Sequence, residues 1–279
     1  MSPSGFRKRG RGRTSGRQIG VFRESSYSEA MPQIYETLGV GYSTGRRQDP
    51  RIADVILRAV GDSASIVNVG AGSGSYEPGH TRVVSVEPSL TMIRQRRTPS
   101  PLLVQARAER LPFHDDAFDC ALAVLTIHHW SPVGEGLREL RRVARKTVIL
   151  SWDQEVWERF WLFDYCPDLR AQDRQRAVAI STIADVLGFC HVIPVPIPND
   201  CLDGFQGAFW QRPAAYLDSE VRGRMSGFAQ APRHSYEDGL ARLAADLSDG
   251  TWQREHAALM ERDAMDVGYR LVIADRSSQ

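Results

Sequence analysis

Short β-branched runs alternate with segments of helical period from Ser65 onward, a pattern that restricts the chain to βαβ units feeding a parallel sheet. Strands are predicted at 65–70 (SIVNVG), 82–87 (RVVSVE), 102–105 (LLVQ), 119–125 (DCALAVL) and 147–152 (TVILSW). Between the last two, PVGEGLRELRRVARK puts Val133, Leu137, Leu140 and Val143 on one helical face and basic residues on the other. Ahead of the first strand, DPRIADVILRAVGD has a helix start in Asp49 and Pro50 and an apolar face of Ile52, Val55, Ile56 and Ala59. Gly61 stops it. The second half departs from this rhythm. A helix near 171–187 ends at Gly188, a strand runs through CHVIPVPIP, and a long, mostly helical stretch precedes the alternating run YRLVIAD at 269–275. An insertion of that size before a last strand predicts a cap over a site. The aromatics of EVWERFWLFDY (Trp157, Phe160, Trp161 and Phe163) are more than one helical face can bury, so most are expected in the core and one or two in an acceptor wall.

The 279 residues, 42% of them hydrophobic, suffice for a large core. No apolar run approaches the roughly 18 to 20 residues of a bilayer span, and no secretory leader is apparent, so a cytoplasmic protein without a membrane partner is expected. Cys120, Cys166, Cys190 and Cys201 lie too far apart for a zinc site or a disulfide scaffold, and no metal is expected. Residues 1–17 hold six of the 35 basic residues and no acidic one, leaving 29 basic against 34 acidic in the rest of the chain. A Gly/Ser/Arg tail buries too little apolar surface to order itself, so 1–22 is predicted to be disordered. Because the body is acidic, nucleic acid is not expected as a partner.

Gly70, Gly72 and Gly74 follow the first strand directly. Ligands of open α/β sheets bind at the carboxyl ends of the strands, and glycines there let a ligand approach the backbone. Ser75 stands where a dinucleotide fingerprint needs its third glycine, and the Gly-Lys-Ser/Thr of a P-loop is absent, so a nucleoside without phosphate fits better. Seventeen residues after Gly70, the second strand ends at Glu87, whose carboxylate can accept two hydrogen bonds from a ribose diol.

Taken in order, VNVGAGSGSYE, VVSVEPSLTMI, AERLPFHDDAFDCALAVLTIHHW and GLRELRRVARK resemble consecutive signatures of the class I S-adenosylmethionine-dependent methyltransferases, close to the ubiquinone/menaquinone methyltransferase-like group. The resemblance covers about residues 50 to 152. It implies an α/β, doubly wound, Rossmann-like fold with a seven-stranded, mostly parallel sheet whose last strand is antiparallel. S-adenosylmethionine is the implied cofactor and S-adenosylhomocysteine the product. Gly70, Ala71 and Gly72, with Gly74 in the same turn, would line the methionine part, and Glu87 would hold the ribose. Pro88, Ser89 and Met92 would flank the adenine, Ala108 and Glu109 would meet its edge, and Leu125 and Thr126 would lie beside the methionine amine. Two residues depart from the pattern: Asn68 stands where many members have aspartate, and Arg107 where an acidic residue commonly reaches the adenine amino group. In this group a glycine-rich, aromatic N-terminal segment folds over the cofactor. Tyr35 and Tyr42 would close the site, and Arg46 or Arg47 would clamp the methionine carboxylate or form a solvated basic turn.

The expected organisation is a tail over 1–22, a lid over 23–48, a cofactor-binding core of 49–198 with 267–279, and a helical substrate cap over 199–266. Methyl transfer to a hydroxyl or carbon acid needs a base, and histidine has a suitable pKa range. His129, just past the fourth strand, is therefore a candidate base or substrate contact, or else a packing ring. Asp200 and Asp203 either orient a polar acceptor or cap the next helix. A small-molecule acceptor methylated at oxygen or carbon is the leading reading, since no Asn/Asp-Pro-Pro-aromatic motif follows the fourth strand. The alternatives are an RNA or protein methyltransferase recruited by the tail, and a methyltransferase-like protein without transfer chemistry. Monomer and homodimer both remain open.

Overall fold

The computed structural model describes residues 46–79, 81–96 and 102–276. The tail, nearly all of the lid segment, Tyr35 and Tyr42 lie outside the described residues. The strands are β1 (Ser65–Val69), β2 (Arg82–Val86), β3 (Leu103–Val104), β4 (Phe118–Val124), β5 (Ala144–Trp152), β6 (Cys190–Pro194), β7 (Ile197–Pro198), β8 (Ala264–Met265) and β9 (Tyr269–Asp275). Seven form one sheet in the order β3-β2-β1-β4-β5-β9-β6, and β7 pairs with β8. The pairs from β3 to β5 are parallel, while β9 runs antiparallel to both β5 and β6. This is the Rossmann-like, seven-stranded sheet that the sequence resemblance implies.

Strand alternation divides the interior into two layers. Ile66, Cys120, Leu122, Val148 and Leu150 face the helix Pro50–Val60, while Val67, Ala121, Ala123 and Ile149 face the helices Val133–Val143 and Ile180–Leu187. Because side chains alternate with period two, central strands buried on both faces read as continuous apolar runs. The first layer does not end at the sheet. Trp157, Phe160, Trp161 and Phe163 are all buried, and they join Trp210, Tyr216 and Trp252 in one core. Trp161 Nε1 donates to the Trp210 carbonyl at 2.8 Å, and Trp210 Nε1 to the Ile197 carbonyl at 2.9 Å. Residues between β7 and β8 are thus packed onto the sheet through aromatic rings whose polar edges are satisfied.

Two elements differ from expectation. The helix expected near 171–187 is two, Pro167–Arg176 and Ile180–Leu187, separated by Ala177 and Ala179 at ψ near 137° and 140°. CHVIPVPIP is likewise two strands, because Val195 leaves the β6 ladder and donates to the Tyr269 carbonyl before Ile197 opens the pairing with β8.

The helix Pro50–Val60 starts where the sequence signals it should. Its cap Asp49 is fully buried and accepts from Arg51 N at 3.0 Å, from Arg51 Nη2 at 2.8 Å and from Leu202 N at 3.0 Å. Burial alone would raise its pKa, but these bonds outweigh it and hold the carboxyl at about 2. One carboxylate therefore both caps a helix and ties it to a loop 153 residues away. Asp49→Ala is expected to cost about 2 kcal/mol in urea denaturation, the loss of a cap plus an unsatisfied amide. A cost below about 0.5 kcal/mol would contradict the tie.

Candidate functional site

From β1 the chain moves outward to β2 and β3, then returns past β1 to β4. At that reversal a cavity of about 540 Å³ opens along the carboxyl ends of β1, β2 and β4. Its floor depends on Gly70. The residue sits at φ +70°, and a Cβ added there would lie 2.0 Å from Thr126 Oγ1. The end of β4 thus lies directly against the turn after β1, so the protein's own threonine, as well as any ligand, demands glycine at this position. A network lies beneath the turn. Glu77 Oε1 accepts from Asn68 Nδ2 at 3.0 Å and from Ser85 Oγ at 2.7 Å, and Glu77 Oε2 pairs with the nearly buried Arg96. The Arg96 guanidinium fills the space a side chain at Gly74 would need. Neither Glu77 nor Arg96 was legible as a site residue, because no motif links the turn to a cation 19 residues on.

Glu87 stands at the end of β2, only 6% exposed. Gly72 N donates to its Oε2 at 2.8 Å and Ser89 N to its Oε1 at 3.0 Å. These two amides fix the carboxylate in place on the cavity wall, an acidic acceptor of the kind a ribose diol requires. Ser89 Oγ caps the short helix Leu90–Arg94 by accepting from Met92 N, which seats the buried Met92 against the Gly72 side of the cavity. Pro88 and Ala108 complete this apolar slot. Glu109 accepts from Ser131 N at 2.7 Å and from Arg107 Nε at 3.2 Å. The basic residue at the place of a common acidic one is therefore paired within the protein.

At the other end stand Leu125, Thr126, His128, His129, Arg46 and Arg176. Leu125 holds φ 50°, a strained conformation for a branched side chain, fixed by its N–H donating to the Leu150 carbonyl at 2.8 Å. The rings of His128 and His129 touch at a tilt of 48° with centroids 3.8 Å apart, and His128 meets Trp152 edge-on at 4.7 Å. Burial, and then the neighbouring charges, push His128 well below the usual histidine range; burial and the charge of Arg176 bring His129 down to about 3. Both rings are therefore neutral near pH 7. Behind them a smaller chamber of about 60 Å³ is walled by Trp152, Trp157, Phe205 and Tyr269. Arg46 Nε donates to the fully buried Asp203 at 2.6 Å, and Tyr76 Oη donates to the same carboxylate at 3.0 Å.

The donor set fits an adenosine-type ligand. A cavity of about 540 Å³ lies within the range of small-molecule sites, with an acidic acceptor pair beside an apolar slot at one end. Gly70, Ala71, Gly72, Glu87, Pro88, Ser89, Met92, Ala108, Glu109, Leu125, Thr126, His129 and Arg46 all line it. Gly74, Arg47 and Asp200 do not: Gly74 covers Arg96, Arg47 is exposed, and Asp200 is 72% exposed and bonded to Arg51 at 2.7 Å. Asp203, the other aspartate of that segment, comes to the cavity through Arg46 and caps no helix. Tyr76, Arg176 and Gln230 also line the cavity and were missed. Tyr76 follows the glycine turn and carried a usable signal; Arg176 and Gln230 arrive from distant helices without one.

A methyltransferase-domain family model matches residues 67–152. The malonyl-[acyl-carrier protein] O-methyltransferase of Pseudescherichia vulneris is 30% identical over 112 residues, covering 37% of this chain and 45% of that protein. The tRNA (carboxymethyluridine(34)-5-O)-methyltransferase of Schizosaccharomyces pombe is 21% identical over 123 residues, 43% of this chain and 54% of that one. The chain thus spans about half the length of these curated relatives. Among solved structures, a protein of Anabaena variabilis described as a methyltransferase from an antibiotic biosynthesis pathway is 31% identical with a TM-score of 0.74, over 82% of this chain and 98% of that one.

Gly70→Ala is expected to destabilise the fold by about 2 to 4 kcal/mol in denaturant titration, from a steric clash and a disfavoured φ together. A loss within 0.5 kcal/mol of wild type, to the usual order of surface substitutions, would show that Thr126 yields freely. The histidines give a pH dependence of definite sign. Between the unfolded value near 6.5 and the folded value of about 3, the unfolded chain binds more protons, so His129 contributes stability above pH 6.5 that is lost as the pH falls. His129→Gln should reduce the slope of unfolding free energy against pH in that window by up to about 1.4 kcal/mol per pH unit. An unchanged slope would place a charged ring there.

Proposed function

The chain belongs to the class I S-adenosylmethionine-dependent methyltransferases, and on that premise we propose that it methylates a small-molecule acceptor, at oxygen or carbon, within the crevice above β1 and β4. The observation that carries this reading is the continuity of the main cavity: one space joins the Glu87 end to the paired histidines, which also wall the smaller chamber. When bound, S-adenosylmethionine supplies an electrophilic methyl group on a sulfonium. Glu87 would hold the ribose hydroxyls, with Met92, Pro88 and Ala108 around the adenine and Ala108 and Glu109 at its edge. The turn Gly70–Gly72, with Leu125 and Thr126, would receive the methionine part.

Histidines 128 and 129 and the aromatic chamber exclude water from the reacting end and orient the acceptor. A ring with a pKa of about 3 is a weak base, so His129 serves here as a hydrogen-bonding contact and not as a strong proton acceptor. Arg46, secured by Asp203, lines the cavity and is the candidate for the methionine carboxylate. Both curated relatives above are named as O-methyltransferases, which supports oxygen as the accepting atom.

Calorimetric titration of S-adenosylhomocysteine tests the assignment. Glu87→Ala is expected to weaken binding at least about 10-fold, equivalent to about 1.4 kcal/mol, while Glu87→Gln, which keeps one acceptor oxygen, loses less. Circular dichroism should show the fold retained in both. Undiminished affinity in folded Glu87→Ala would remove Glu87 from the ribose.

A further inference from the structure

Three arginines line the main cavity: Arg46, Arg107 and Arg176. Two already have counter-charges, Asp203 for Arg46 and Glu109 for Arg107. Arg176 has none. It ends the helix Pro167–Arg176, lines both the main cavity and the inner chamber, and makes no hydrogen bond or ion pair with any described residue. Its Nη1 is buried without a partner, as are His128 Nδ1 and Gln230 Nε2 on the same wall. Asp173, one turn earlier on that helix, feels the charge of Arg176 without bonding to it: its Oδ2 accepts from Trp157 Nε1 at 3.0 Å and from Gln206 Nε2 at 3.3 Å, and burial raises its pKa.

Buried donors left without partners are costly. Two such donors, Arg176 Nη1 and Gln230 Nε2, with a ring nitrogen of His128 beside them, describe a wall ready to receive the oxygens of an anion. The fork of a guanidinium matches a carboxylate; the inner chamber, about 60 Å³ and lined by Asp173 and Gln206 as well as by aromatic rings, has no room for more, so the body attached to that group lies in the main cavity. With both histidines neutral, the positive charge at this end resides on the arginines.

Building on the proposed methyltransferase reading, we infer that the acceptor carries a carboxylate and that Arg176 receives it, at the inner end of the cavity beside His128 and His129. Arg176 is thus a specificity-determining residue for acidic acceptors. It is distinct from the residues assigned to the cofactor.

The test uses the full chain saturated with S-adenosylhomocysteine. Acetate, hexanoate and benzoate, each with its matched neutral amide, are titrated in turn, and binding is read by calorimetry and by the ring resonances of His128 and His129. At least one carboxylate should bind and shift both rings, its amide should bind at least about 10-fold more weakly, and Arg176→Gln should abolish that preference while Arg176→Lys keeps part of it. Affinity for S-adenosylhomocysteine should stay within about threefold of wild type in both variants, which also reports that they fold. Equal binding of acid and amide, a preference that survives Arg176→Gln, or no response to any carboxylate would overturn the inference. A drop in S-adenosylhomocysteine affinity in Arg176→Gln would assign the arginine to the cofactor and overturn it as well. Failure of the wild-type protein to bind S-adenosylhomocysteine at all would instead strike the methyltransferase reading beneath it.

Discussion

The contact between Gly70 and Thr126 is the constraint on which the site rests. A parallel sheet whose chain leaves β1 in one direction and returns to β4 in the other has a crevice at the reversal, and the crevice must have a floor. Here the floor is a turn with no Cβ, pressed by a threonine from the neighbouring strand. The same approach aligns the ends of β1 and β4, so Glu87 on one flank and His128 and His129 on the other face a single space. A side chain at Gly70 would move one strand end away from the other.

Around that floor, polar groups are fixed before any ligand arrives. Two backbone amides hold Glu87, Arg96 and Glu77 brace the turn from below, and Asp203 joins Arg46, Tyr76 and the segment after β7 at one buried carboxylate. Such preorganisation lets a site bind without reorganising its own dipoles. The aromatic core that runs from Trp157 to Trp252 makes the inserted helices an extension of the sheet's packing, so the inner chamber has rigid walls. The strain stored at Leu125 lies at the meeting of these parts.

Much of this was legible in the sequence, because local chemistry determines it. The β1 run, the glycine turn, Glu87 at the next strand end, the helix Val133–Val143 and the closing strand Tyr269–Asp275 all follow from periodicity and glycine placement. What was not legible depends on long-range meetings. Asp203 reaches Arg46 across 157 positions, and nothing local distinguished it from Asp200, which turned outward to Arg51. The break between Arg176 and Ile180 carries neither glycine nor proline, so RAVAI reads as continuous helix; yet that break leaves Arg176 as a helix's last residue, facing the cavity. The low pKa of His129 was equally hidden, since burial and the charge of Arg176 are properties of the folded state.

The central claim is that a nucleoside thioether lies across the ends of β1 and β2 with its sugar on Glu87. A crystal structure of the full chain grown with saturating S-adenosylhomocysteine tests it most directly. The account predicts density in the crevice, with the ribose hydroxyls on Glu87, the adenine against Met92 and the sulfur turned toward His128 and His129. Density for the compound elsewhere, or a crevice holding only solvent at saturation, would contradict it.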